Sequence, residues 1–249
     1  MQGISITTQM LAQLMVIEIK LYHQQTGGFE VMEVLIGEKY PSLYQKFGVD
    51  KLHLELSDEN CYNHVKSGYN STTGEYTVYV TLNKSNLTID GLLHELKHAY
   101  VDWCIYNGGG KPIKNTREAR QLYTEDFEQL MSKDREKLPK LAEVVELYYF
   151  ASKLEIPAFL ENHYFDPNAA RYDEVAREMV NFEIENYLDC EDEFLLLKEY
   201  DIPKFSHHKS LKSFLEYSQK HLVKRGKYIL KKIDKIDKLK ANIKKSEDK

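Results

Sequence analysis

The segment TIDGLLHELKHAYVDW, residues 88–103, constrains this chain more than any other. On an α-helix each residue advances by about 100°. With His94 at the origin, His98 falls at about 40°, one turn on and on the same face. Leu92, Leu96 and Trp103 fall at about 160° to 200°, on the opposite face. The spacing therefore predicts a helix with an apolar back for a core and a histidine front for a cleft. Thr88 suits the N-cap and Asp90 the first turn, while Gly108, Gly109 and Gly110 supply a stop near Asn107. The run GGGK follows a helix and precedes a proline, so it does not read as a phosphate-binding loop.

Two imidazoles one turn apart can approach a single metal ion from adjacent corners. Glu95 falls at about 100°, on the flank of the histidine face. There it is placed to take a proton from a water rather than to ligate. HELKH thus divides into two ligands, His94 and His98, and one general base, Glu95. Lys97, at about 300°, lies off the ligand face.

Upstream, KLHLELS (51–57) and EYTVYVTLN (75–83) alternate apolar and polar residues and read as strands. A loop with Asn70, Ser71 and Gly74 separates them, and the pair is expected to be antiparallel neighbours. Downstream, helical periodicity runs over 116–132, about 139–151, 154–165 and 170–198, punctuated by Pro139, Pro157 and Pro167. The fold expected is α+β and helix-dominated, with a small antiparallel or mixed sheet before the HELKH helix.

HELKHAYVD resembles the active-site helix of zincin metallopeptidases, the gluzincins in particular. In that group an aspartate often follows the second histidine by four residues, as Asp102 does here. The strand EYTVYVTLN is similar to the zincin strand that precedes this helix and aligns the peptide. The metzincin extension is absent, since Val101 and Cys104 occupy its Gly and His positions. The resemblance covers about residues 74–104. It implies a Zn²⁺-dependent peptidase whose third ligand is a glutamate on a later helix.

Three residues compete for that role: Glu155, Glu161 and His163. Glu155, in EIPA, resembles the ExxA of compact gluzincins, with Ala158 as the small residue where two helices approach. Phe159 stands where a thermolysin-like ExxxD would have Asp, which points to small intracellular or phage-encoded relatives. Glu155 also completes a capping box with Ser152, and Pro157 implies a kink or a late helix start. Tyr148, Tyr149, His163, Tyr164, Tyr172, His207 and His208 are candidates by type for stabilising an oxyanion.

The net charge of −5 conceals an asymmetry. Residues 204–249 carry 15 Lys/Arg and 5 Asp/Glu, leaving −15 on the first 203 residues. These boundaries define a peptidase domain, 1–203, and a basic helical tail, 204–249. Within the tail, Leu215, Leu222, Ile229, Ile236 and Ile243 recur every seventh residue, joined by Ile233 and interrupted at Gly226 and Lys240. The tail is expected to dock by charge and by this stripe, on its own domain or on a protein partner, and not on nucleic acid.

Three dispersed cysteines, Cys61, Cys104 and Cys190, form no CxxC and suit a reducing compartment. Residues 4–17 lack a basic n-region and read as an amphipathic helix ending at Gly27-Gly28 rather than an export signal. No apolar run reaches the roughly 20 residues a membrane span needs. The expected location is the cytoplasm, or the virion if the chain is phage-encoded, and the expected substrate is a protein or peptide. Two other readings stay open: a non-enzymatic structural or regulatory protein on the same fold, and an amidase of cell-wall peptides.

Overall fold

The computed structural model describes residues 32–35, 51–57, 64–70, 72–83, 91, 94, 95, 97, 98, 121, 122, 124–165 and 172–247. The N-terminal helix expected over 4–17, the expected ends of the HELKH helix, Asp102, Cys61 and Cys104 lie outside them. The chain divides into two compact units, Met1–Ile113 and Lys114–Lys249.

The first unit is built on a four-stranded sheet: β1 (Met32–Leu35), β2 (Lys51–Ser57), β3 (His64–Asn70) and β4 (Glu75–Asn83). The strand order is β1-β2-β4-β3. The alternation of EYTVYVTLN is realised directly. Val78, Val80 and Leu82 are buried on one face, whereas Tyr79 is half exposed on the other and stacks on His53 at 4.7 Å.

The two strands read from sequence are neighbours, but they run parallel, with Leu52 opposite Val78 and Leu54 opposite Val80. The antiparallel expectation is therefore corrected. The segment between them is not merely a loop, because HVKSGYN forms β3, which turns back antiparallel onto β4 with Val65 opposite Val80. Gly74 closes that hairpin at φ 73°, a left-handed conformation in which a side chain would be strained. Two reversals in succession return β4 to the direction of β2. Residues 91, 94, 95, 97 and 98 are helical, as the HELKH spacing requires.

The second unit is helical in every described element. Thr124 caps α1 (Glu125–Gln129), its Oγ1 accepting from the Phe127 amide at 3.1 Å. The chain continues through a π turn (Leu130–Asp134) and a 3₁₀ turn (Arg135–Lys137). Then come α2 (Leu141–Phe150), α3 (Glu155–Phe165), α4 (Tyr172–Val180), α5 (Glu191–Glu199), α6 (Pro203–Ser206) and α7 (Leu211–Glu247).

Each long helix buries one face. On α2 this is Leu141, Val144, Val145 and Tyr148, and on α4 it is Tyr172, Ala176 and Met179. The expected helix over 170–198 is two helices, a correction with a visible cause. After Val180 the chain leaves the helix to bury Phe182, which stacks on Tyr187 at 5.2 Å within a 3₁₀ turn (Ile184–Tyr187). The Phe182 carbonyl, freed from the helix ladder, accepts from Gln219 Nε2 at 3.1 Å.

The basic tail forms α7, whose 37 residues span about 55 Å at roughly 1.5 Å per residue. It packs against α2, α3 and α4 and delivers Leu211, Phe214, Leu215, Leu222, Ile229 and Ile233 to the core. Gly226, which interrupts the apolar stripe, sits where α7 crosses α4. A Cβ there would stand 2.5 Å from the Ala176 carbonyl oxygen and 2.8 Å from Val180 Cγ2. Among the described residues no helix is long and apolar enough to cross a membrane.

Candidate metal centre

In the first unit the HELKH helix brings its two histidines together. The His94 and His98 Nε2 atoms lie 3.0 Å apart, the rings meeting edge to face with centroids 4.7 Å apart. One Nε2–H donates to the other ring's lone pair. Exchanging that proton for a cation would turn two converging lone pairs onto one target, so the donor chemistry fits a metal. His94 and Glu95 are buried and His98 is half-buried. Lys97 is half-buried as well.

In the second unit Glu155 opens α3 and is 3% exposed. Its amide donates to Ser152 Oγ at 3.1 Å, and the Ile156 amide donates to the Ser152 carbonyl at 3.1 Å, so Ser152 closes the turn that leads into α3. In a full capping box the glutamate would bind the Ser152 amide in return. That amide already donates to the Tyr149 carbonyl at 3.0 Å. Pro157 is the third residue of the helix, within the first turn, where the amide it lacks would have had no intrahelical acceptor. The late start, rather than a kink, accommodates it.

Glu155 also acts on its own unit. The Tyr172 hydroxyl, which donates to the Phe150 carbonyl at 2.9 Å, has its pKa pushed well up, first by burial and then by the charge of Glu155. A carboxylate buried this deeply calls for a cation or a full set of donors.

The other ligand candidates fare differently. His163 is buried in the second unit with its Nε2 3.0 Å from Asp237 Oδ1 on α7. Glu161 is helical, and its side chain lies outside the described residues, as does that of Tyr164. Of the oxyanion candidates, Tyr148 is committed to the core. Its hydroxyl is 3.0 Å from Ser218 Oγ, which itself donates to the Phe214 carbonyl, and burial pushes its pKa far up. Tyr172 is spent on Phe150, Tyr149 stacks against Phe127 and Phe150, and His208 lies against Phe214 and Tyr217. His207 is next to Ser206, 3.4 Å from its hydroxyl. Sequence reading did not anticipate the pairing of His163 with Asp237, which lies 74 residues along the chain and follows no local spacing.

Comparison with family models, with curated proteins and with solved structures finds no match to this chain.

Proposed function

We propose that the chain is a zinc-dependent metallopeptidase of zincin-like type, with His94 and His98 as two of the metal's ligands and Glu155, on the likeness of EIPA to a gluzincin ExxA, as the third. The observation that carries this reading is the 3.0 Å approach of the two Nε2 atoms one helical turn apart, with buried Glu95 between them in sequence. Two neutral nitrogens and one carboxylate oxygen form a donor set suited to zinc, and three protein ligands leave a position open to solvent. When bound, zinc supplies Lewis acidity towards water and towards a scissile carbonyl.

The protein's own residues do the rest. Glu95 accepts a proton from the attacking water and can return it to the departing amine. The substrate is a protein or peptide, the site of action is the cytoplasm, and the outward face of the basic helix α7 meets proteins rather than nucleic acid.

Metal analysis of the purified protein tests the site. Near one equivalent of zinc is expected in wild type, and far less in His94→Ala, His98→Ala and Glu155→Ala. Equal zinc in all four proteins would sink the assignment. Glu95→Gln should keep its zinc and lose peptide hydrolysis by about two orders of magnitude or more, the scale of general-base catalysis. If wild type binds zinc and cleaves no member of a peptide library, the fold serves a structural or regulatory role. Cleavage confined to cell-wall peptides would make the enzyme an amidase.

A further inference from the structure

Past Ile233, the last apolar residue buried on α7, the packing face of that helix continues with charge. Asp237 and Lys240 follow Ile233 by four and seven residues, the spacings at which one face of a helix returns. Both reach α3 at the same residue. Asp237 Oδ1 accepts from His163 Nε2 at 3.0 Å, and Lys240 Nζ donates to the His163 carbonyl at 3.2 Å.

The chemistry of each contact is specific. A carboxylate accepts, so the proton of this hydrogen bond sits on His163 Nε2. Nδ1 is buried with no hydrogen-bond partner. The His163 carbonyl is one of the last four of α3, for which the helix has no amide of its own. A lysine at that end also complements the helix dipole. An apolar pair would press the two helices together and allow them to slide. A directed pair of hydrogen bonds to one residue fixes both the rotation of α3 and its position along its axis.

α3 is thus pinned at both ends, by Ser152 at its start and by α7 at its finish. Glu155 lies in its first turn, eight residues before His163. We propose that Asp237 and Lys240 are positioning residues, which hold α3 through His163 so that the Glu155 carboxylate is presented to the metal. The proposal rests on the metal-site reading above. It follows from the general need of a ligand for a supporting shell that fixes it to a fraction of an ångström.

The test is zinc affinity of the full-length chain, measured by competition with a chromophoric chelator, for wild type, Asp237→Ala, Asp237→Asn, Lys240→Met, Glu155→Ala and His94→Ala. Asp237→Ala should weaken zinc binding by roughly tenfold or more, the loss typical of residues that support a ligand. Asp237→Asn should restore most of it, because its side-chain oxygen still accepts from Nε2. Hydrogen exchange of the metal-free protein gives a readout without zinc, in which the α3 amides should exchange faster in Asp237→Ala while those of α5 do not. Should Asp237→Ala fail to fold, Lys240→Met carries the same test and should also weaken binding. If the variants lower the melting temperature and bind zinc as wild type does, the pair is only structural and the proposal is overturned. The loss of zinc in Glu155→Ala and His94→Ala would then leave the metal site standing. If His94→Ala itself binds zinc like wild type, the metal reading fails and takes the positioning role with it.

Discussion

Replacing Gly226 by alanine sets two known effects against each other at one atom. Alanine in a helix interior is favoured over glycine by about 1 kcal/mol, because it loses less backbone entropy on folding. At an exposed helix position the substitution would stabilise the protein by that amount. At Gly226 the new methyl carbon meets the Ala176 carbonyl oxygen at 2.5 Å, Val180 Cγ2 at 2.8 Å and Met179 Cβ at 2.9 Å. The first of these is backbone, and the third is a carbon fixed directly to backbone, so neither can swing aside. Relief requires α4 and α7 to move apart along the contact that joins them, which also loosens Ala176, Met179, Leu222 and Ile229. Overpacking of a tight core costs about 1–3 kcal/mol, and contacts this short put the cost at the upper end. The net expectation is a loss of about 2 kcal/mol. For a unit of this size that lowers the melting temperature by about 6 °C. Urea unfolding followed by circular dichroism measures it, with the midpoint falling and the slope unchanged. A Gly226→Ala protein as stable as wild type, or more so, would refute the close approach of the two helices.

His221 makes stability depend on pH. It stacks on Tyr148 at 5.1 Å with a buried Nε2, and its pKa is pushed down to about 3, first by burial and then by Lys204, Arg225 and other nearby cations. The folded state therefore refuses a proton that the unfolded chain accepts below about 6.5, so stability is full above that pH and falls as pH drops from there towards about 3. His221→Phe should flatten this part of the profile in thermal melts, and an unchanged profile would show that His221 is hydrated. Ending the chain at residue 203 should abolish the cooperative unfolding of the second unit, because it removes Phe205, Phe214, Leu215, Leu222 and Ile229 from the core. A sharp thermal transition in the truncated protein would show that α7 is an appendage.

What the sequence made legible follows the range of the interaction. His94 and His98 are read from a spacing of four, which an α-helix converts directly into one face, with Glu95 on its flank. β4 is equally plain, because Val78, Val80 and Leu82 alternate with residues that face away. β3 is not, since HVKSGYN is largely polar and carries Gly68. Its strand conformation comes from pairing with β4, with Lys66 opposite Tyr79 and Gly68 opposite Thr77. The direction of β2 relative to β4 depends on that unread strand. The break after Val180 is hidden for a related reason, for no proline or glycine marks it. A buried phenylalanine and a side chain 37 residues away do the marking. Long-range hydrogen bonds leave no period in a sequence.

The tail teaches the converse. Gly226 and Lys240 read as flaws in a heptad stripe, places where a coiled-coil seam would fail. In the structure both are positions at which α7 meets something other than a hydrophobic side chain. Gly226 admits the backbone of α4, and Lys240 reaches the open carbonyl of His163 at the end of α3. Asp237, between them on the same face, accepts a hydrogen bond from His163 Nε2. A free coiled coil repeats one kind of contact and so demands one kind of residue at each seam position. A helix that docks on several others meets a different surface at each turn, and its seam varies to match. An interrupted heptad in a helix of this length therefore argues for packing on the chain's own unit, with each interruption marking the partner it touches.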